Sequence, residues 1–431
     1  MKRHMTAAYC SLGCKVNQYD TDAMRGIMES AGFITVPFED AADVYIINTC
    51  SVTHVSDRKS RQMISRAHTK NPDAVVIAAG CYAKTDPDAV ANLNGVNIVL
   101  GTNDRLKIVD IVKEYLDSST KSQIRSASDD SSFEDLSADE SDKTRAYLKI
   151  QDGCNRFCSY CIIPYARGRI RSRSLESTER ELKKLSMHGY KEVVLTGIHL
   201  MSYGLESGDR DINDVIKLAN SIDGIERIRL GSLEPEFCTD TFVRTVASCD
   251  KVCRQFHLSL QSGSDSVLAR MNRKYTTGDY ARVVDSLRAV MPECAVTTDI
   301  IAGFVGETEK EHMETIDFVR RIEFARVHVF PYSVRRGTKA EKMPGHLDPS
   351  VKEQRTHELI QLTSEYQDKY MSSFIGKKVK VLLEEPCKNG MRGLTDTYID
   401  VHVKTEETVS NQIKTVLIMG INDKYLTAEI I

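Results

Sequence analysis

The chain has 431 residues, 41% of them hydrophobic, and a formal net charge of −3. That length suffices for two or three domains with separate cores, and no run approaches the roughly 18 apolar residues of a membrane span. Residues 1–10 carry no apolar signal-like segment, so the cytoplasm is the expected compartment; there, twelve cysteines point to metal binding or catalysis rather than to disulfides. From the start, short β-branched runs at 7–10, 44–47, 74–79 and 98–100 alternate with amphipathic helical patterns, the signature of an open, mostly parallel α/β domain over residues 1–116. Residues 117–142 hold eight acids against two bases and almost nothing apolar, which reads as an acidic linker. The remainder of the chain is therefore net positive by three, compatible with RNA but too mild to demand it. Between 143 and 373, candidate strands at 147–150, 192–196, 227–230, 256–260, 296–301 and 327–330 are each followed by a helical pattern. This predicts a partial (βα)6 barrel with its chemistry at the strands' C-terminal ends. Residues 374–431 change to short alternating runs with turn signals, predicting a small antiparallel β-barrel.

The first barrel strand runs directly into Cys154, Cys158 and Cys161 in C-x3-C-x2-C spacing. Three thiolates so grouped can hold three corners of a [4Fe-4S] cube and leave the fourth iron open to a substrate such as S-adenosyl-L-methionine. A zinc knuckle is the alternative, but it wants a second paired element, and no other C-x2-C occurs in the chain. In the first domain, Cys14, Cys50 and Cys81 each follow one of the first three strands. Residues in that position converge at one carboxyl edge of an open parallel sheet, next to helix N-termini that favour thiolates. A single such cysteine would be a buried turn residue; three at equivalent places predict a second metal site. Cys10, Cys238, Cys249, Cys253, Cys294 and Cys387 show no such logic and read as packing residues.

With Cys154-x3-Cys158-x2-Cys161 in place, the chain resembles the radical S-adenosylmethionine superfamily. By that resemblance Thr196 and Gly197 at the end of the second strand, and Glu234, Gln261 and Asp299 after the third, fourth and fifth, are the expected cofactor-binding residues. Together with Gly13-Cys14-Lys15-Val16-Asn17, Asn48-Thr49-Cys50-Ser51-Val52-Thr53 and Arg58-Lys59-Ser60-Arg61-Gln62, the pattern resembles the methylthiotransferase family, in the branch acting on threonylcarbamoyladenosine of tRNA. The family carries a TRAM RNA-binding barrel at its C-terminus. Two positions depart from similar proteins, Val305 where proline is usual and Met201 where glycine is frequent.

The resemblance implies an enzyme that installs a methylthio group at C2 of N6-threonylcarbamoyladenosine at position 37 of tRNA. One S-adenosylmethionine would supply the methyl group and another the radical, on two [4Fe-4S] clusters held by Cys14, Cys50 and Cys81 and by Cys154, Cys158 and Cys161. The C2 hydrogen is not acidic enough for side-chain acid–base chemistry, which agrees with a radical route. Expected partners are tRNA, an electron donor and a sulfur donor. The arginine run Arg167, Arg169, Arg171, Arg173 and the helix bearing Arg58, Lys59, Arg61 and Arg66 are candidate phosphate contacts; the terminal barrel, with eight bases and eight acids, is not basic. Competing readings are a methylthiotransferase for isopentenyladenosine or a ribosomal-protein aspartate, and a non-enzymatic metal-binding RNA module.

Overall fold

The computed structural model describes residues 4–118, 123–126, 132–138 and 144–431. In the first domain six strands, β1 (Thr6–Ser11), β2 (Ile34–Thr35), β3 (Val44–Thr49), β4 (Val75–Gly80), β5 (Val96–Leu100) and β6 (Ile124–Ser126), form one sheet in the order β2-β1-β3-β4-β5-β6. Every pair is parallel. β3 and β4 are buried along their whole length, because helices cover both faces, and the two faces carry separate apolar clusters. That is why their sequences are continuous apolar runs rather than alternating ones.

β6 lies inside the stretch read as a linker. The described part of that stretch is built into the fold: Ile124 pairs with Ile98, Leu136 is fully buried, Glu134 pairs with Arg105, and Asp135 pairs with Arg173 at 2.6 Å. Two apolar side chains and two acids with internal partners suffice to order it, which the average composition conceals. The acids Asp129, Asp130, Asp139, Glu140 and Asp142 lie outside the described residues.

The second domain comprises β7 (Arg145–Asp152), β8 (Arg171–Ser172), β9 (Glu192–Gly197), β10 (Arg227–Leu230), β11 (Ser232–Leu233), β12 (Gln255–Leu258), β13 (Ala295–Ala302) and β14 (Arg326–Pro331). Hydrogen bonding runs β10-β9-β7-β8 in one sheet and β11-β12-β13-β14 in another. The third barrel strand is split at Gly231: its first half pairs with β9 and its second with β12. A Cβ at Gly231 would sit 3.2 Å from the Leu195 carbonyl oxygen, so the glycine permits close approach at the bend. β8, which was not foreseen, doubles back antiparallel on β7. The helix Pro349–Ser372 contributes Leu359 to the barrel core, with Leu362 and Tyr366 packed against it.

Five further strands, β15 (Lys378–Cys387), β16 (Gly390–Thr395), β17 (Asp400–Lys404), β18 (Gln412–Asn422) and β19 (Tyr425–Ile430), close a barrel in the order β15-β16-β17-β19-β18. Four of its pairings are antiparallel, as expected, but β17 and β19 close it in parallel. This barrel docks at the N-terminal ends of the second-domain strands. There Arg227 donates to the carbonyls of Leu394 and Lys380 at 3.0 and 2.7 Å, and Arg229 to those of Asp396 and Thr395 at 3.0 and 3.1 Å. The C-terminal ends are left for the cysteines.

Candidate metal centres and cofactor site

Strand register assembles the first trio. Ser11 pairs with Asn48 and Thr49 with Gly80, so the strands end level and the residues that follow share one edge. Cys14 N-caps the helix Lys15–Ser30, Cys50 directly follows β3, and Cys81 opens the helix Cys81–Thr85. The Cys14 thiol lies within electrostatic reach of both Cys50 and Cys81, and Cys50 within reach of Cys81.

The motif residues around them interlock. Asn17 donates to the carbonyls of Leu12 and Thr49 at 2.7 and 2.9 Å, and Asn48 donates to the Asn17 carbonyl at 2.9 Å. Two glycines are required by space and backbone. Gly13 has φ +97° and a Cβ there would lie 2.6 Å from Cys50 Sγ; Gly80 has φ +90° and a Cβ would lie 2.3 Å from Asn48 Oδ1.

The second trio depends on one loop. Gly153, at φ +74°, lets that loop pass against the Arg169 carbonyl, where a Cβ would lie 1.9 Å away. The Cys154 amide donates to the Gly168 carbonyl at 3.0 Å, and the Cys161 amide to the Cys158 carbonyl at 2.9 Å. Arg273 donates to Cys158 Sγ at 3.5 Å and is paired with Glu234, while Asn272 holds the Phe157 carbonyl at 3.1 Å. The three thiols again act on one another electrostatically.

Burial pushes the Cys154 thiol up to about 11 and that of Cys161 up to about 12. At neutral pH these sulfurs therefore hold protons until a metal displaces them. Among the described residues, no three His, Cys, Asp or Glu side chains converge where they could hold a single ion. A cube is a larger body, reached by thiols standing around it rather than meeting at one point.

Between the trios lies a buried charge cluster that sequence reasoning missed. Asp20 pairs with Lys149 at 2.5 Å, Arg167 at 2.9 Å and Arg105 at 3.0 Å. Asp152, two residues before Cys154, pairs with Arg167 at 3.3 Å, Lys149 at 3.4 Å and Arg171 at 3.6 Å. Burial alone would push the Asp20 carboxyl up, but the surrounding cations outweigh it and hold it below the usual carboxylate range. With Glu134 on Arg105, four cations face three carboxylates. The surplus positive charge lies beside the first trio, since Arg167 acts on Cys14, Cys50 and Cys81. Three thiols in each set, with buried cations beside one of them, fit anionic iron–sulfur clusters.

This revises the arginine run. Arg167, Arg171 and Arg173 are 2%, 7% and 1% exposed, because the chain folds back as β8 and turns them inward. Arg173 serves Asp135, the Leu136 carbonyl and the Tyr19 hydroxyl. Arg169 alone of the four is exposed. Arg58, Lys59, Arg61 and Arg66 are exposed as expected, with Arg66 paired to Glu39.

Thr196 and Gly197 end β9, where Gly197 packs against Gln151 and Gln151 accepts from the His199 amide at 2.7 Å. Glu234 follows β11, held between Arg273 and, at 3.5 Å, His199. Gln261 has φ +70° and donates its amide to the Asp299 carbonyl at 2.9 Å. Asp299 itself lies within β13 rather than after it, facing His257 at 3.4 Å. Gly197 and Glu234 thus belong to the network around the second trio, Thr196 precedes Gly197 in β9, and Asp299 faces His257 instead.

Residues 6–101 match a family described as uncharacterized protein family UPF0004, and residues 148–319 match the radical SAM superfamily. The chain is 41% identical over 420 residues to the threonylcarbamoyladenosine tRNA methylthiotransferase MtaB of Bacillus subtilis, covering 95% of this chain and 93% of that one. It is 38% identical to the Aquifex aeolicus protein of the same name, over 92% and 96%. A Clostridium botulinum tRNA-2-methylthio-N(6)-dimethylallyladenosine synthase is 34% identical over 97% and 95%. Among solved structures, the radical S-adenosylmethionine methyltransferase TsrM of Kitasatospora setae superposes with TM-score 0.56 at 15% identity, over 76% of this chain and 73% of that one. That likeness concerns the fold alone. Identity of 41% along nearly the whole of both chains leads to one assignment: the chain belongs to the threonylcarbamoyladenosine tRNA methylthiotransferase family of radical SAM proteins.

Proposed function

We propose that this protein transfers a methylthio group to C2 of N6-threonylcarbamoyladenosine at position 37 of tRNA, using S-adenosyl-L-methionine and two [4Fe-4S] clusters. The observation that carries the reading is the buried Arg167 guanidinium, which acts on Cys14 and Cys81 and pairs with Asp152, two residues before Cys154. It does so in a chain aligned along 95% of its length with an enzyme of that name. Cys14, Cys50 and Cys81 would hold one cluster and Cys154, Cys158 and Cys161 the other. When bound, the clusters supply an electron for cleaving S-adenosylmethionine and an open iron to carry the sulfur.

The chain's own residues supply position and charge. Arg273 fixes the second loop through Cys158 and Glu234, and Gln151 ties the start of that loop to the end of β9 through the carbonyls of Asp152 and Gly153, each at 2.8 Å. Thr196, Gly197, Glu234 and Gln261 are the proposed cofactor contacts, with Asp299 beside them. Exposed Arg169, Arg58, Lys59 and Arg61 suit the phosphates of tRNA. No helix among the described residues is long and apolar enough to cross a membrane; we place the enzyme in the cytoplasm with its tRNA, an electron donor and a sulfur donor. Mass analysis of tRNA nucleosides from a strain lacking the gene tests the reading. Loss of 2-methylthio-N6-threonylcarbamoyladenosine is expected, and its persistence would refute the assignment.

A further inference from the structure

Lys15 directly follows Cys14, and its ammonium lies 6.0 Å from the ring centroid of Tyr398 in the terminal barrel. Two more cations surround that ring, Arg229 at 4.7 Å and Arg145 at 5.4 Å. Both have carboxylate partners, Arg229 with Glu192 at 2.7 Å and Arg145 with Glu384 at 2.6 Å. Lys15 has none: among the described residues no carboxylate lies within ion-pair distance of it. Glu192, the acid whose field reaches it, is already committed to Arg229.

A half-buried ammonium without an anion is costly unless a ligand supplies one. The two substrate types named among the relatives differ in this respect: a threonylcarbamoyl arm ends in a carboxylate, whereas a dimethylallyl arm is purely apolar. An apolar arm packed here would bury the Lys15 charge uncompensated; a carboxylate would complete it.

We infer that Lys15 receives the carboxylate of the substrate's N6 arm above the floor formed by Tyr398 and Arg145, making it a specificity-determining residue for the choice of base. The inference rests on the proposed function and deepens it. It also gives the terminal barrel a second role, because its Tyr398 lies against the Lys15 ammonium.

The test uses reconstituted full-length enzyme and three anticodon stem-loops, carrying at position 37 threonylcarbamoyladenosine, its threonyl methyl ester, or plain adenosine. Binding of the acid should exceed that of the ester at least tenfold in the wild type. Lys15→Met should equalise acid and ester, and Lys15→Arg should retain the preference. Because the acid-to-ester ratio is taken within each variant, a partial loss of iron cancels out of it. An undiminished preference in Lys15→Met, or no preference in a wild type that still converts the acid stem-loop, overturns the inference while leaving the function intact. A wild type that fails to convert the acid stem-loop overturns both.

Discussion

The two cysteine trios are positioned by opposite routes. Cys154, Cys158 and Cys161 lie within eight residues and depend on one loop, pinned by Gly153, Asn272 and Arg273. Cys14, Cys50 and Cys81 span 68 residues and share one sheet edge only because three parallel strands end level. A local site fails when its own loop is changed. A topological site fails when any of the turns that set its register is changed, including turns that carry no ligand.

The largest expected effects separate the trios outright. Cys158→Ala should abolish release of 5'-deoxyadenosine while leaving the first-domain iron, and Cys50→Ala should spare that release and block sulfur insertion; chromatography of the reaction products with metal analysis reads both. Next in size, Arg167→Met strikes what the two sites share. It removes a guanidinium from Asp20 and Asp152, and breaking a buried pair costs about 3–5 kcal/mol, measurable by denaturant titration. An unchanged midpoint would show that the charge cluster does not join the domains.

Gly80→Ala sharpens the contrast further. Left-handed strain of about 1–3 kcal/mol adds to the clash with Asn48, so the variant should lose first-domain iron selectively, although residue 80 binds no metal. Retention of full iron content would mean that the first trio is as local as the second.

The smallest effect concerns the docking of the terminal barrel. Burial would raise the Glu192 carboxyl, but Arg229, Arg227 and Arg145 hold it below its ordinary value. Its contribution is complete above the unfolded value of about 4.3 and fades as pH falls through the lower folded value. Glu192→Gln should therefore flatten the acid limb of the stability curve below about pH 4, monitored by thermal melting; an acid limb as steep as the wild type's would contradict this.

Strands and cysteine positions were legible in the sequence because apolar period and chain order determine them. Cys50 and Cys81 could be placed at one edge without coordinates, since consecutive parallel strands leave no other edge for them. Pairing between distant segments was not legible. Nothing local marks Arg167 as the partner of Asp20, 147 residues away, and a run of four arginines looks like a surface until β8 turns it inward. The ordered part of the acidic stretch was hidden for the same reason: Leu136 and Glu134 matter through Tyr19 and Arg105, not through their neighbours. Lys15 sits in a legible motif beside Cys14, but its want of a carboxylate partner among the described residues emerges only when Tyr398 arrives from the other end of the chain.

Iron quantitation on wild type, Cys50→Ala and Cys158→Ala, each reconstituted anaerobically, tests the central claim of two separate three-cysteine sites most directly. About eight irons per chain are expected in the wild type and about four in each variant. A single substitution that removes all the iron, or none of it, would contradict the account.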